Sequence, residues 1–587
     1  MLRRAFFLVP LAMLLAACST TPPVKPNAVA SGDYHYTEKY LRWMIQKEMD
    51  DNNVTGLSIA LVDDQRVVWA EGFGYADKEN HIAATPQTPY RMGSIAKVLT
   101  ASAAMQMAEQ GKLDIDAPLS RALPGFSIKT RFPDAGPITP RNIMTHHSGL
   151  PSNYLQGMVV SHPKYFTTLV DDIKNEYVAY PPNYIFSYSN LGVTLLGAAI
   201  EHQSGMPYAD YMTKSFFEPL GMHRSYYSSE PGLKGYNHGK QGEPLPLRDL
   251  PSGGLVSTVD DMSRFIRMVF AGGRAGDTQV LSPQSVAEML RPQTDLPLDL
   301  NNQMGLGWML SGYDIENAGA VAGHGGSLLN FHSVMIILPE HHLGVVVAAN
   351  SDTSRSVVNE VGETALKLAL EAKTGIKQPE HHKTTAVTAK LSDEDAKSFS
   401  GYFDSLVGVV KISDNSGDLD ADVLGHSFRL TPHDDGTFGI RYKLFGLIPV
   451  SVSAFDNISV AMKHIDGHDL LVGNLGSDIM LFGEKLQKPA KGSALIDYVG
   501  DYEIVNPWKG GPMPENLALR HKDGMFIVEC SFAQMPGFVL RMAVDPISSH
   551  EAVVAGLGPG RGETIRLETV NNEKHVLFSG LDLRKID

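Results

Sequence analysis

The sequence has little cysteine, a deficit of basic charge and no long apolar run past its first residues. Only Cys18 and Cys530 occur in 587 residues, and Cys18 falls in an N-terminal leader. Cys530 is then left without a partner, which argues against an internal disulfide even in an oxidising compartment. Lysine and arginine number 50 against 65 aspartates and glutamates, a formal charge of -15. Nucleic acid needs a basic face, so it is not expected as a partner. Beyond the leader no run approaches the ~18 apolar residues that cross a bilayer. The pairs His146–His147, His341–His342 and His381–His382 stand without an H-E-x-x-H motif or a cysteine cluster. They read as loop histidines, and neither a metal nor a cofactor is expected. The G-x-S-x-G elbow of the α/β-hydrolases is missing as well.

What is present is ordinary globular composition, 43% hydrophobic and 20% charged, over about three or four domains' worth of chain. The leader has Arg3-Arg4, an apolar stretch from Ala5 to Leu15, and Leu15-Ala16-Ala17-Cys18. A charged start, a short apolar core and small residues before a cut site read as an export signal. Cysteine at the first mature position resembles the lipobox of bacterial lipoproteins. That resemblance implies a signal peptide over 1–17, acylation of Cys18 and a membrane-anchored protein facing the periplasm. Ser19 in place of an aspartate implies the outer membrane.

A Pro- and Ser-bearing tether follows over 18–37. Two apolar runs split at Asp63-Asp64-Gln65 read as a β-hairpin, and "FHSVMIILPEHHLGVVVAAN" reads as another. An amphipathic helix closes this region at about residue 375, and 94–270 is mostly helical or loop. Two strands at the front and about three at the back make one five-stranded antiparallel sheet with helices on its faces and a helical insert. This is an α+β domain over 38–376. After a linker over 377–390, short alternating strands with tight turns at Asp434-Asp435-Gly436, Asp466-Gly467 and Lys522-Asp523-Gly524 make 391–587 an all-β barrel or sandwich. "SFSGYFD" and "DYVGDYEI" are loosely alike, which suggests two halves, 391–485 and 494–587.

The chemistry starts at "RMGSIAKVLTASAAMQMAEQGKLD", where Ser94 and Lys97 stand one helical turn apart at the mouth of an apolar helix. An unperturbed lysine, with a pKa of about 10.4, is a poor base near neutrality. Burial and the positive end of a helix both disfavour its charge, so this place lowers the pKa and activates the neighbouring serine. The same helix start offers free N–H groups to an oxyanion. Ser161-His162-Pro163-Lys164 repeats the spacing but has no apolar helix behind it. Tyr188-Ser189-Asn190 opens a second apolar helix, with a phenol to relay a proton and an amide to hold a substrate carbonyl. Gly323-His324-Gly325-Gly326-Ser327 lies just before the strand "FHSVMIIL", with small residues that admit a substrate backbone and a Ser327 N–H as second oxyanion donor.

Ser94-x-x-Lys97, Tyr188-x-Asn190 and His324-x-Gly326, in that order, resemble the serine β-lactamase and penicillin-binding-protein superfamily. The branch is that of class C β-lactamases, DD-peptidases, D-aminopeptidases and related esterases. "ITPRNIMTHHSGLP", "FSYSNLGVTLLG" and "PSGGLVSTVDDMSRF" are similar to family segments, and the likeness runs over about 38–375. It implies an acyl-enzyme on Ser94, with Lys97 and Tyr188 as the proton-transfer pair. It also implies Asn190, His324 and Gly326 on the substrate, and the Ser94 and Ser327 amides as oxyanion hole. Lys373-Thr374-Gly375 matches the third motif literally but reads as a helix end with no strand after it. Ser413-Asp414-Asn415 matches the class A second motif, yet follows the third motif in the chain.

The expected function is an envelope-anchored serine hydrolase on a small peptide, amide or ester, foremost D-residue or peptidoglycan-type peptides. A carboxylesterase or weak β-lactamase on the same site is the alternative, and a silent binding or sensor protein the remote one. Histidine at 324, with an unperturbed pKa of about 6.5, is expected to regain charge below that pH and then to attract carboxylate-bearing substrates. The leader carries its own test. The mature protein should partition into detergent and take up radioactive palmitate, and Cys18→Ala should lose both; a variant still bound to membranes would place the anchor elsewhere.

Overall fold

In the computed structural model, residues 21–586 are described apart from 28–29, 244, 380–386, 406, 416, 445–447, 451–457, 476–477, 490–492 and 534–536. The leader, Cys18 and His381–His382 lie outside the described residues. The first domain starts with helix α1 (His35–Asp51) and the hairpin of strands β1 (Gly56–Asp63) and β2 (Arg66–Asp77), extended by a two-residue strand β3 (Ile82–Ala83). Further along come helices α2 (Ala96–Glu109) and α3 (Asn190–Ser204), then β4 (Ala322–Leu328), β5 (Phe331–Leu338), β6 (Leu343–Ala349) and helix α4 (Arg355–Thr374). The sheet order is β4-β5-β6-β1-β2-β3, so both ends of the domain sequence meet where β1 pairs with β6, Leu57 opposite Ala349. The five expected strands are present, and β3 adds a short sixth at the edge. A small three-stranded sheet also forms beside the helical insert, from Tyr90–Arg91, Leu255–Ser257 and Tyr226–Tyr227.

Strand β1 is buried along its whole length because both faces are covered. Side chains alternate across a strand. Leu57, Ile59 and Leu61 join Val345 and Val347 against α1 and α4, while Ala60 and Val62 join Val346 and Ala348 against α2 and the insert. The segment 323–327, expected ahead of a strand, is a strand itself. Glycine disfavours strands, but here β5 on one side and Met309 at Gly323 fix the backbone by pairing.

The all-β part consists of barrels. In the first, strands from Gly401–Ser405 to Asp478–Lys485 close when His426–Pro432 pairs with Phe438–Leu444. The second is a closed barrel from Gly500–Ile504 to Leu581–Lys585. Each opens alike, on a glycine flanked two residues either side by buried aromatics, Phe399 and Phe403 around Gly401, Tyr498 and Tyr502 around Gly500. The Asp466-Gly467 and Asp523-Gly524 turns have positive φ at both residues, the geometry that matches the twist of paired strands.

Lys373-Thr374-Gly375 terminates α4, with Gly375 at φ +82°. Lys373 Nζ donates to Asp63 Oδ1 at 2.6 Å and to the His341 carbonyl at 2.6 Å, which ties the helix end to the sheet. Ser413-Asp414-Asn415 ends a strand of the first barrel. Asp63 also accepts from Tyr34, and its carboxyl is held below the usual range by Lys373 and Tyr34 against the cost of burial. A depressed carboxyl stabilises the fold above its unfolded pKa and loses that contribution as pH falls through the folded value. Lys373→Ala should therefore destabilise the domain by about 1–3 kcal/mol at pH 7 and by less below pH 4, while turnover stays within about twofold. Chemical denaturation at the two pH values and an activity assay check this; lost turnover in a folded variant would restore this lysine to the third motif.

Candidate active site

Ser94 sits in a 3-10 turn, Gly93–Ile95, that runs into α2. Gly93 has φ +52°, and a Cβ there would stand 2.7 Å from the Ser327 nitrogen. Glycine thus lets the turn lie directly on β4. Strand β4 reciprocates at Gly326, where a Cβ would stand 2.0 Å from the Met92 carbonyl oxygen, itself held by Ser333 Oγ at 2.9 Å. Gly326 lines the cleft, but the room left by its missing side chain is filled by this turn rather than by substrate. The two missing side chains bring the Ser94 and Ser327 backbones together.

Lys97 is 2% exposed. Its Nζ donates to Ser94 Oγ at 3.0 Å, Asn190 Oδ1 at 2.7 Å and the Ser252 carbonyl at 2.8 Å. Burial pulls its pKa down to about 7, and the nearby Asp249 carboxylate opposes the shift. The chain places the ammonium deep in the domain and then satisfies all of its donors. Asp249 is buried against Arg248, Nε to Oδ1 at 2.6 Å.

The Tyr188 ring centroid lies 4.8 Å from Lys97 Nζ and 4.1 Å from the His146 ring. Burial pushes the phenol well above its ordinary range, and a hydrogen bond with Ser94 opposes this. Ser189 caps α3, accepting from the Gly192 N–H at 2.8 Å. This cap sets the direction of Asn190, whose Nδ2 donates to Asn153 Oδ1 at 2.9 Å.

His324 is 1% exposed, with Nδ1 on the Gly325 carbonyl at 2.6 Å and Nε2 without a partner among the described residues. Burial first, and then Lys97, lower its pKa to about 4. The return of charge expected below pH 6.5 is thereby corrected: desolvation keeps the imidazole neutral through that range. Ser94, Tyr188, His324 and Ser327 line a cleft of about 690 Å³ whose wall also includes Met480 and Phe482 of the first barrel and Pro559 of the second.

Sequence reasoning missed several contributors. His146 and His147 occupy a loop, but both are buried. His146 Nδ1 accepts from the Ser189 N–H at 3.2 Å, and His147 Nε2 meets Asp299 Oδ2 at 2.8 Å. Asn153 and Ser252 carry no local pattern, although they neighbour or lie within segments noted as family-like. Ser161 and Lys164 lie apart from this group, in a loop where the Ser161 N–H donates to the Lys509 carbonyl.

Residues 41–369 match the Beta-lactamase family model. Protein flp of Staphylococcus aureus (strain NCTC 8325 / PS 47) is 25% identical over 328 residues, 54% of this chain. The chain spans 63% of that protein's length. The mouse serine beta-lactamase-like protein LACTB, mitochondrial, is 24% identical over 462 residues, covering 60% of this chain and 84% of its own. Among solved structures, the octameric penicillin-binding protein homologue from Pyrococcus abyssi superposes with a TM-score of 0.52 at 24% identity, over 75% of this chain and 99% of its own. SurE, solved with D-Leu, gives 0.54 at 22%, over 77% and 99%. With the family model running from α1 into the closing helix α4, over more than half of the sequence, the chain belongs to the beta-lactamase family, whose members are serine hydrolases.

Proposed function

We propose that this protein is an envelope-anchored peptidase or amidase that cleaves D-residue or peptidoglycan-type peptides through an acyl-enzyme on Ser94, held to the membrane by a lipid on Cys18. The observation that carries the catalytic part is Lys97, buried, bonded to Ser94 Oγ and poised near neutrality. Neutral Lys97 takes the Oγ proton as Oγ attacks the substrate carbonyl. The oxyanion that forms accepts hydrogen bonds from the Ser94 and Ser327 N–H groups. Tyr188 stays protonated at neutral pH because burial raises its pKa. It gives its proton to the leaving nitrogen and recovers one from Lys97. Water then attacks the acyl-enzyme carbonyl, losing its proton to the same pair, and Ser94 leaves with a proton restored. Asn190 orients both Lys97 and the substrate carbonyl. The substrate class draws on fold-level likeness alone, SurE with D-Leu being one such neighbour.

A carboxylesterase is the second reading, and one observation favours it. The cleft offers a neutral His324 and apolar walls at Leu298, Met309, Met480 and Phe482, which suit an uncharged acyl group.

Ser94→Ala should abolish covalent labelling by a fluorophosphonate and all turnover with little loss of stability, and Lys97→Ala should cost on the order of 10²-fold or more. Since the base must be unprotonated, wild-type kcat/KM should fall about tenfold per pH unit below about 7. Labelling that persists in Ser94→Ala would place the nucleophile elsewhere, and a flat profile between pH 5 and 7 would remove Lys97 as the base. A hydrolysis panel of D-aminoacyl anilides, muropeptides, short acyl esters and a cephalosporin separates the substrate readings. Cephalosporin turnover should be poor and should gain nothing on going from pH 8 to 6. His324→Lys should improve it about ten- to a hundredfold by giving the carboxylate a charged partner. Fast wild-type cephalosporin turnover would promote the β-lactamase reading.

A further inference from the structure

The loop 151–158 joins the second barrel to two of the three groups that hold Lys97, Asn190 and Ser252. At one end, the Ser152 carbonyl accepts the Asn190 N–H at 2.8 Å, Pro151 accepts from Ser189 Oγ at 2.6 Å, and Asn153 Oδ1 accepts from Asn190 Nδ2 at 2.9 Å. Asn190 Oδ1 is one of the three partners of Lys97 Nζ. At the other end, Arg248 donates to the Tyr154 and Gln156 carbonyls, both at 2.7 Å, and the adjoining turn Leu250–Gly253 supplies the Ser252 carbonyl to Lys97.

The barrel grips the same loop from outside. The Ser152 N–H donates to Glu563 Oε1 at 2.8 Å, and the Gly560 N–H donates to Ser152 Oγ at 2.7 Å. Ser579 Oγ accepts the Leu155 N–H at 2.9 Å and donates to the Asn153 carbonyl at 3.2 Å. The seat is close: a Cβ on Gly580 would stand 2.5 Å from the Tyr154 ring. Glu563 is buried and its carboxyl is pushed up to about 7 by desolvation, opposed by the Ser152 N–H and Arg561 and reinforced by Glu176. Held against both the N–H and the hydroxyl of Ser152, the Glu563 side chain fixes that stretch of backbone.

We infer that Glu563 and Ser579 of the second barrel are positioning residues for Lys97, acting through the chain Ser152–Asn153–Asn190. The inference rests on the reading of Ser94 and Lys97 as nucleophile and base. It makes the barrel part of the catalytic apparatus, where otherwise it would be only a wall of the cleft.

The test is saturation kinetics of fluorophosphonate labelling of the full chain at pH 8, above the values of both Lys97 and Glu563, with circular dichroism to check folding. Glu563→Ala should lower the limiting rate about tenfold or more and leave half-saturation within about twofold, since the loss is one of alignment. Glu563→Gln, which keeps the acceptor oxygen, should restore the rate to within about threefold of wild type. Asn153→Ala should lose about as much as Glu563→Ala, and the double variant no more than either, because both act on one chain. Ser579→Ala and Asn153→Ala decide by the same criteria if Glu563→Ala does not fold. Wild-type rates in folded Asn153→Ala and Ser579→Ala, a loss confined to half-saturation, fully additive losses, or a glutamine variant as slow as the alanine one would each overturn the inference. A wild-type protein that never labels at Ser94 would instead overturn the catalytic reading beneath it.

Discussion

The structure turns on the burial of one ammonium group. Lysine in an apolar interior is costly unless its donors are satisfied or its charge is given up, and Lys97 does some of each. Ser94, Asn190 and Ser252 satisfy it, while desolvation brings its pKa to about 7. The three partners come from the turn before α2, the first residue of α3 and the turn Leu250–Gly253. The helical insert is therefore organised around Lys97 as much as around its apolar core.

What could be read in the sequence was what local spacing encodes. Ser94 and Lys97 lie three residues apart on one helical face, so their encounter needs no tertiary information. The hairpins, the helix stop at Gly375 and the Asp-Gly turns of the barrels are local in the same sense. Other features depend on what packs from elsewhere. His324 could be identified, but not its pKa, because the groups that desolvate it come from other segments. The glycine-rich 323–327 is a strand only because of its neighbours. Asn153 and Glu563 were invisible: the bond from Ser152 to Glu563 spans 411 residues of sequence and is made to a backbone N–H, which leaves no signature in side-chain type.

The barrels also change how the cleft is to be understood. One side of it is β4 and the 3-10 turn that carries Ser94, whereas part of its wall is contributed by residues more than a hundred positions past the last strand of the sheet. Charge within this wall is largely internal. Arg561 is paired with Asp404 across the two barrels at 2.5 Å, so the barrels are joined to each other beside the mouth they form.

The meeting of the 3-10 turn with β4 depends on two hydrogen atoms occupying places where other residues carry a β-carbon, at Gly93 and Gly326. The separation of the Ser94 and Ser327 N–H groups is thus limited by direct contact of the turn with the strand. Such a contact has no intermediate settings. Drift in the surrounding sequence can reshape the cleft, recharge His324 or exchange a barrel turn, all in small steps. The spacing of these two N–H groups has no such latitude, because a side chain at Gly93 or Gly326 would overlap the opposite backbone.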